Sequence, residues 1–220
     1  MFSSAMISEI GIGVLETLYM TLVSTLIAYI LGLPMGMLLV ISEEDGIKPM
    51  PTLNRILGVV INVIRSCPFL ILLVLLIPFT RFVVGTSLGC NATMVPLVIG
   101  AAPFIARMVE SSIKEVDRGV IEAAQSMGAT TWQIVTKVLL PEALPSLLVG
   151  AAIATTTVLG YSALAGFTGG GGLGTIAINY GYYRYNTPVM LVTVFLLVLI
   201  VQLFQEVGMK LANSNDKRRR

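Results

Sequence analysis

The stretch Glu122-Ala123-Ala124-Gln125-Ser126-Met127-Gly128-Ala129-Thr130-Thr131-Trp132-Gln133-Ile134-Val135-Thr136-Lys137-Val138-Leu139-Leu140-Pro141 reads as helix, turn, helix. Val120 to Met127 holds good helix formers, and Gly128 suits the left-handed position just past a helix end. Thr130 or Thr131 can cap the helix that follows, with Gln133 placed for a reciprocal bond. Pro141 can open a further helix, where its missing N–H costs little. Around it, Ser111 to Glu142 interleaves Lys114, Glu115, Asp117, Arg118, Glu122, Lys137 and Glu142 with apolar residues. So polar a segment does not cross lipid, and it is expected to be an aqueous or interfacial loop carrying helices.

The flanks are of another kind. A hydrocarbon core about 30 Å thick takes roughly 20 apolar helical residues, and lipid offers the backbone no partner outside its own segment. Uncharged or nearly uncharged runs predict spanning helices over about 17–41, 56–80, 92–110, 143–167 and 187–207. Gly32 and Pro34 can bend the first. The second carries Arg65 toward one end, where with Ser66 and Pro68 it either holds a bend or snorkels to the interface. Gly85, Gly89 and Asn91 place a short loop from Arg81 to Asn91, and Gly169-Gly170-Gly171-Gly172 with Gly174 ends the fourth helix. That glycine run either shapes the outer mouth or serves as a flexible connection. Arg107 and Glu110 stand three apart on one helical face and can pair.

The expected organisation is therefore an all-α membrane protein. Residues 1–16 form an outer N-terminal segment, 17–209 a single membrane domain with a cytoplasmic loop at 111–142, and 210–220 a basic cytoplasmic tail. Composition agrees: 55% of residues are hydrophobic and 12% charged, against roughly 25% charged in soluble domains. A net charge of +2 without a basic stripe sets nucleic acid aside. Histidine is absent, which removes zinc-protease helices, imidazole triads and histidine metal sites. Cys67 and Cys90 have no metal-ligand spacing, so neither a catalytic nor a metal residue is assigned. The first sixteen residues contain Glu9 and Glu16 but no Lys or Arg, unlike a cleavable signal peptide.

Lys and Arg favour the cytoplasmic side. Five crossings with the C-terminus inside bring Lys48, Arg55, Lys114, Arg118 and Lys137 inside and leave Arg81 and Arg184 outside. A six-helix alternative would put both termini on one side and split Ser111 to Glu142 across lipid, and it ranks lower.

The stretch quoted first resembles the signature loop of binding-protein-dependent ABC importer permeases: Glu-Ala-Ala, three residues, Gly, nine residues, an aliphatic residue, any residue, Leu-Pro. Glu122, Ala123, Ala124, Gly128, Val138, Leu140 and Pro141 match at that spacing. Pro78-Phe79-Thr80-Arg81, Gly85-Thr86-Ser87-Leu88-Gly89, Gly100 to Glu110, Val138 to Pro145 and Tyr180-Gly181-Tyr182 are similar to the permeases of the methionine-importer subfamily. The similarity runs from about Thr17 to Val207, leaving out the N-terminal dozen residues, the Glu43 to Pro51 loop and the tail.

The resemblance implies a type I ABC importer permease fold with five transmembrane helices in the bacterial inner membrane. It also implies a homodimer, two ABC ATPase subunits beneath it, and a periplasmic or lipid-anchored substrate-binding protein. ATP and Mg would be bound by the ATPase, and this chain would hold no cofactor. The sequence agrees, since no Gly-x4-Gly-Lys-Ser/Thr loop occurs. Glu122, Ala123, Ala124, Met127, Gly128 and Ala129 would form the coupling helix and turn that dock on the ATPase. The implied cargo is methionine, L- and also D-, or a related amino acid, moved by alternating access. Thr156, Gly160, Tyr161 and Ser162, in a small and hydroxylic part of the fourth helix, are pathway-lining candidates, against plain helix packing. The rival class is an ion-coupled secondary transporter, which should show paired broken helices and intramembrane carboxylates.

Overall fold

A computed structural model describes residues 4–215, and every regular element among them is helical. Met1 to Ser3 and residues 216–220, with the terminal Lys217-Arg218-Arg219-Arg220, lie outside the described residues. The helices are α1 (Ser4–Ile41), α2 (Pro51–Ser66), α3 (Phe69–Leu75), α4 (Ile77–Val84), α5 (Cys90–Lys114), α6 (Arg118–Ser126), α7 (Thr131–Ile134), α8 (Leu140–Leu164), α9 (Gly172–Ile176) and α10 (Thr187–Asn215). A π-helical turn, Val135–Leu139, joins α7 to α8, a 3₁₀ turn, Ala165–Thr168, follows α8, and a second π segment, Ala177–Tyr182, follows α9.

Among the described residues four helical stretches are long and apolar enough to cross a membrane: Ser4–Ile41, Cys90–Lys114, Thr131–Thr168 and Thr187–Ser214. A fifth is supplied by α2 and α3 taken as one broken span. The run expected as a single helix from 56 to 80 is interrupted. Pro68 disfavours helical geometry at Cys67 and itself sits outside it, at φ −56° and ψ 132°. Likewise, the helix expected to open at Pro141 runs back to Thr131. The Leu140 N–H reaches the Val135 carbonyl across a widened turn, and the ring of Pro141, which would crowd an ordinary helical turn, follows this wider one.

The chain forms two compact units. The first contains the described residues up to Ala28, with Cys67–Ala101 and Ala154–Gln205. Its core is built on Ile10, Leu159, Leu173, Ile176, Val189 and Ile200. Here α1 begins at Ser4 and not at Thr17, because both acids that made the N-terminal stretch look polar have partners far along the chain. Tyr180 donates its hydroxyl to Glu9 Oε2 at 2.9 Å, a bond that raises the phenol above its ordinary pKa. The Gly172 N–H donates to Glu16 Oε2 at 2.6 Å.

The glycine run is not a loose connection. The Leu173 N–H donates to Thr17 Oγ1 at 2.9 Å, the Gly89 N–H to the Gly169 carbonyl at 3.0 Å, and Thr93 to the Gly170 carbonyl at 3.2 Å. Gly166 and Gly174 pass so closely that a Cβ on Gly166 would meet the backbone of Gly174 and Thr175. Gly171 and Gly172 have φ of 86° and 72°, which few side-chain-bearing residues adopt.

The second unit contains Tyr29–Ser66, Ala102–Ile153 and the described residues from Glu206 onward. Small residues let α1 and α5 meet backbone to backbone. A Cβ on Gly32 would lie 2.8 Å from the Ala102 carbonyl oxygen, and one on Gly36 would lie 2.5 Å from that of Ala106. Lipid supplies no hydrophobic drive for helices to associate, so such close dispersion contact is the main attraction available. Leu39, Ile61 and Ala106 form the adjoining core. The turn after α1 is held by Asn54, which donates to the Leu39 carbonyl at 2.6 Å and to Ser42 Oγ at 3.1 Å.

Candidate functional site: the helix–turn–helix and its surroundings

Asp117 starts α6 by accepting the Gly119 N–H at 2.6 Å. The helix ends where Gly128 turns to φ 76°, with its N–H on the Gln125 carbonyl and that of Ala129 on the Ala124 carbonyl, at 2.9 and 3.1 Å. Thr130 then caps α7: it accepts the Gln133 N–H at 3.3 Å, and Gln133 Oε1 accepts the Thr130 N–H at 2.8 Å. The bonds that shape the turn are thereby made between its own residues.

The two faces of this unit differ. Ala124, Ile134, Val135 and Leu139 are buried. Met127 and Trp132, 81% and 73% exposed, project from the turn with Glu122, Ala123 and Gly128 also exposed and Ala129 half-buried. Of the six residues expected to dock together, Ala124 therefore points the other way. It is 5% exposed and seats α6 on its own chain. Trp132, the only tryptophan, was not singled out from the sequence, although one large aromatic in a polar loop was the available signal. Two large apolar side chains held out on a rigid turn lose contact with water only when something covers them.

Beside α6 lies an open cleft of about 1070 Å³, walled by Glu43, Glu44, Asp45, Arg55, Arg118, Glu122 and Gln125 among others. Two of its lining residues, Glu43 and Lys114, belong to a chain of charges. Arg107 bonds Glu110 at 2.7 Å, and Lys114 bonds both Glu110 and Glu43 at 3.0 Å. Arg107 also reaches Asn62 Oδ1 at 2.9 Å and the Gly58 carbonyl at 3.4 Å, linking α2 to α5. The expected Arg107–Glu110 pair is thus one link in a longer network. A charged lining of this kind suits a charged protein surface better than an apolar ligand.

The pathway candidates lie on α8 in the first unit. Gly160 is exposed and its missing Cβ would meet nothing within 4 Å. Tyr161 is half-buried and stacks on Phe69, with ring centroids 4.3 Å apart and planes 5° from parallel. Thr156 is half-buried. Ser162 is buried and donates to the Leu159 carbonyl at 2.7 Å, so it turns into its own helix and away from the face that Gly160 presents. Among the described residues no His, Cys, Asp and Glu side chains group as metal ligands.

Residues 28–207 match the family described as binding-protein-dependent transport system inner membrane component. A probable D-methionine transport system permease protein of Vibrio cholerae is 49% identical over 203 residues, covering 92% of this chain and 90% of that one. The methionine import system permease protein of Bacillus subtilis is 44% identical over 217 residues, covering 99% and 98%. A chain from inward-facing conformations of the MetNI methionine ABC transporter superposes with a TM-score of 0.97 at 48% identity, covering 98% of this chain and 100% of that one. An amino acid ABC transporter crystallised with histidines shares the fold, with a TM-score of 0.75 at 22% identity over 92% of each chain. With its helix–turn–helix set between apolar spans and the family match running from the first span to the last, this chain belongs to the binding-protein-dependent transport system inner membrane component family, the permeases of ABC importers.

Proposed function

We propose that the chain is the permease subunit of an ATP-driven importer for methionine, L- and also D-, or a closely related amino acid. It works as a homodimer above two ABC ATPase subunits and receives its cargo from a substrate-binding protein outside. The names of relatives at 44% to 53% identity support the cargo. They also disfavour the ion-coupled alternative. ATP and Mg belong to the ATPase, and this chain carries out no chemical step of its own.

The observation that carries the docking role is the exposed apolar pair Met127 and Trp132 on the capped turn. Glu122, Ala123, Met127, Gly128 and Ala129 meet the ATPase, and Ala124 holds α6 from behind. When ATP draws the ATPase subunits together, the loop at 111–142 moves with them and biases the permease toward its outward-open state. Such coupling requires the docked loop to interact differently with the two ATPase states. The membrane domain ends near residue 209. Its N-terminus lies outside and its C-terminus in the cytoplasm, in keeping with the inward bias of Lys and Arg. Thr156, Gly160 and Tyr161 line the pathway.

Docking is tested by Met127→Cys in a Cys67→Ser, Cys90→Ser background, with a water-soluble maleimide as probe. The introduced thiol reacts freely in the permease alone, and assembly with the ATPase slows the reaction at least about tenfold, as expected of a residue passing from solvent into an interface core. Equal rates in the free and assembled states contradict the docking role.

A further inference from the structure

The first unit holds a second, smaller cavity of about 230 Å³, between α3, α4, the 85–89 turn and the start of α5. Drug-sized ligands occupy roughly 300–1,000 Å³, so this space takes a solute the size of one amino acid. Its lining has two characters. Leu73, Ile77, Leu88 and Pro96 are apolar. Arg81, Ser87, Thr80, Thr93 and Thr168 are polar.

Arg81 differs from Arg107 and Arg184. Arg107 is paired with Glu110, and Arg184 lies over the Tyr180 ring at 4.4 Å. Arg81 has no carboxylate partner among the described residues. Its Nε donates to Ser87 Oγ at 3.2 Å, which steadies the guanidinium on the cavity wall and leaves its terminal amino groups available. A planar guanidinium presents two parallel donors, the complement of a carboxylate. The Thr93 hydroxyl is committed to the Gly89 and Gly170 carbonyls, and that of Thr168 to the Ala165 carbonyl. With their protons so used, these hydroxyls can serve the cavity they line only as acceptors, and acceptors are what an ammonium requires.

We infer that this cavity is a subsite for a zwitterionic amino acid with an unbranched apolar side chain. Arg81 takes the α-carboxylate, Thr93 and Thr168 take the ammonium, and the Leu73–Ile77 wall takes the side chain. The inference rests on the amino-acid importer proposed above and adds a place on this chain where the cargo is held. Pairing the carboxylate with a guanidinium and giving the ammonium hydrogen-bond acceptors lowers the cost of taking the zwitterion out of water. Leu73, Ile77, Leu88 and Pro96 offer no partner to an acidic or basic side chain.

The test is photolabelling of the complete importer with the diazirine analogue of methionine, followed by peptide mass spectrometry. Label should fall on the segment from Leu73 to Pro96, be competed by methionine and not by methioninol, which lacks the carboxylate, and drop at least about tenfold in Arg81→Gln. Thr80→Val, which keeps the volume of a buried wall residue and removes its hydroxyl, should lower labelling less, with the complex still assembling. Labelling elsewhere on the chain with this segment clear overturns the subsite while leaving the importer intact. Retention of a phospholipid that Arg81→Gln releases, with no amino-acid label, also overturns it and makes the cavity a headgroup site. Absence of ATP-driven methionine uptake by the wild-type complex is the separate failure of the importer reading.

Discussion

Gly128→Asp lowers ATP-driven uptake at least about a hundredfold, equivalent to losing about 2.7 kcal/mol from the rate-limiting step, while the chain still folds. Folding is spared for two reasons. A Cβ at Gly128 meets nothing within 4 Å, so there is no clash. The remaining cost is that of placing a side-chain-bearing residue at φ 76°, about 1–2 kcal/mol, and Asp enters this region more readily than most. Uptake is lost because the new carboxylate stands beside Met127, at the surface that must be covered on docking. Burying an unpaired charge there costs several kcal/mol. Gly128→Ala separates the two effects, since it keeps the backbone cost and adds no charge. It should retain most uptake. Transport assays paired with thermal unfolding in detergent decide between them, and full transport by Gly128→Asp would remove the turn from the coupling mechanism.

The second large effect is on folding. Gly166→Val should destabilise the first unit by about 3 kcal/mol and cut the amount of chain recovered from membranes, because a core that cannot shift tolerates added atoms poorly. The obstacle is backbone: the carbonyl carbon and oxygen of Gly174 and the nitrogen of Thr175, none of which can swing aside as a side chain does. Gly160→Ala is the matched comparison. That position is helical and open, and Ala is favoured over Gly in a helix by about 1 kcal/mol, so its unfolding temperature should hold or rise. Equal unfolding temperatures for Gly166→Val and wild type would contradict the close crossing of the two glycines.

The turn between α6 and α7 was readable from sequence because everything that shapes it is local. Gly128, Thr130 and Gln133 act within a few residues of themselves, and helix-end chemistry depends on such neighbours. The start of α1 was not readable. Glu9 and Glu16 look like residues beyond the end of a helix until Tyr180 and Gly172 are seen beside them, and nothing in a linear reading joins positions so far apart. The same limit made the glycine run ambiguous between a flexible link and a shaped mouth. Its rigidity comes from Thr17, Gly89 and Thr93, each in another part of the chain. Ala124 and Ser162 show a subtler limit. A motif or a cluster identifies residues as a set, whereas a helix sends neighbouring positions to different faces, and only packing tells which face is inward.

The central claim, that this chain moves an amino acid at the expense of ATP hydrolysed by a partner, is tested most directly by methionine uptake into liposomes. These hold the chain with its ATPase and substrate-binding protein, with ATP or with an ion gradient as the only energy source. Uptake that requires ATP, requires the binding protein and survives dissipation of every ion gradient is the predicted result. Uptake driven by a proton or sodium gradient without ATP would contradict the account.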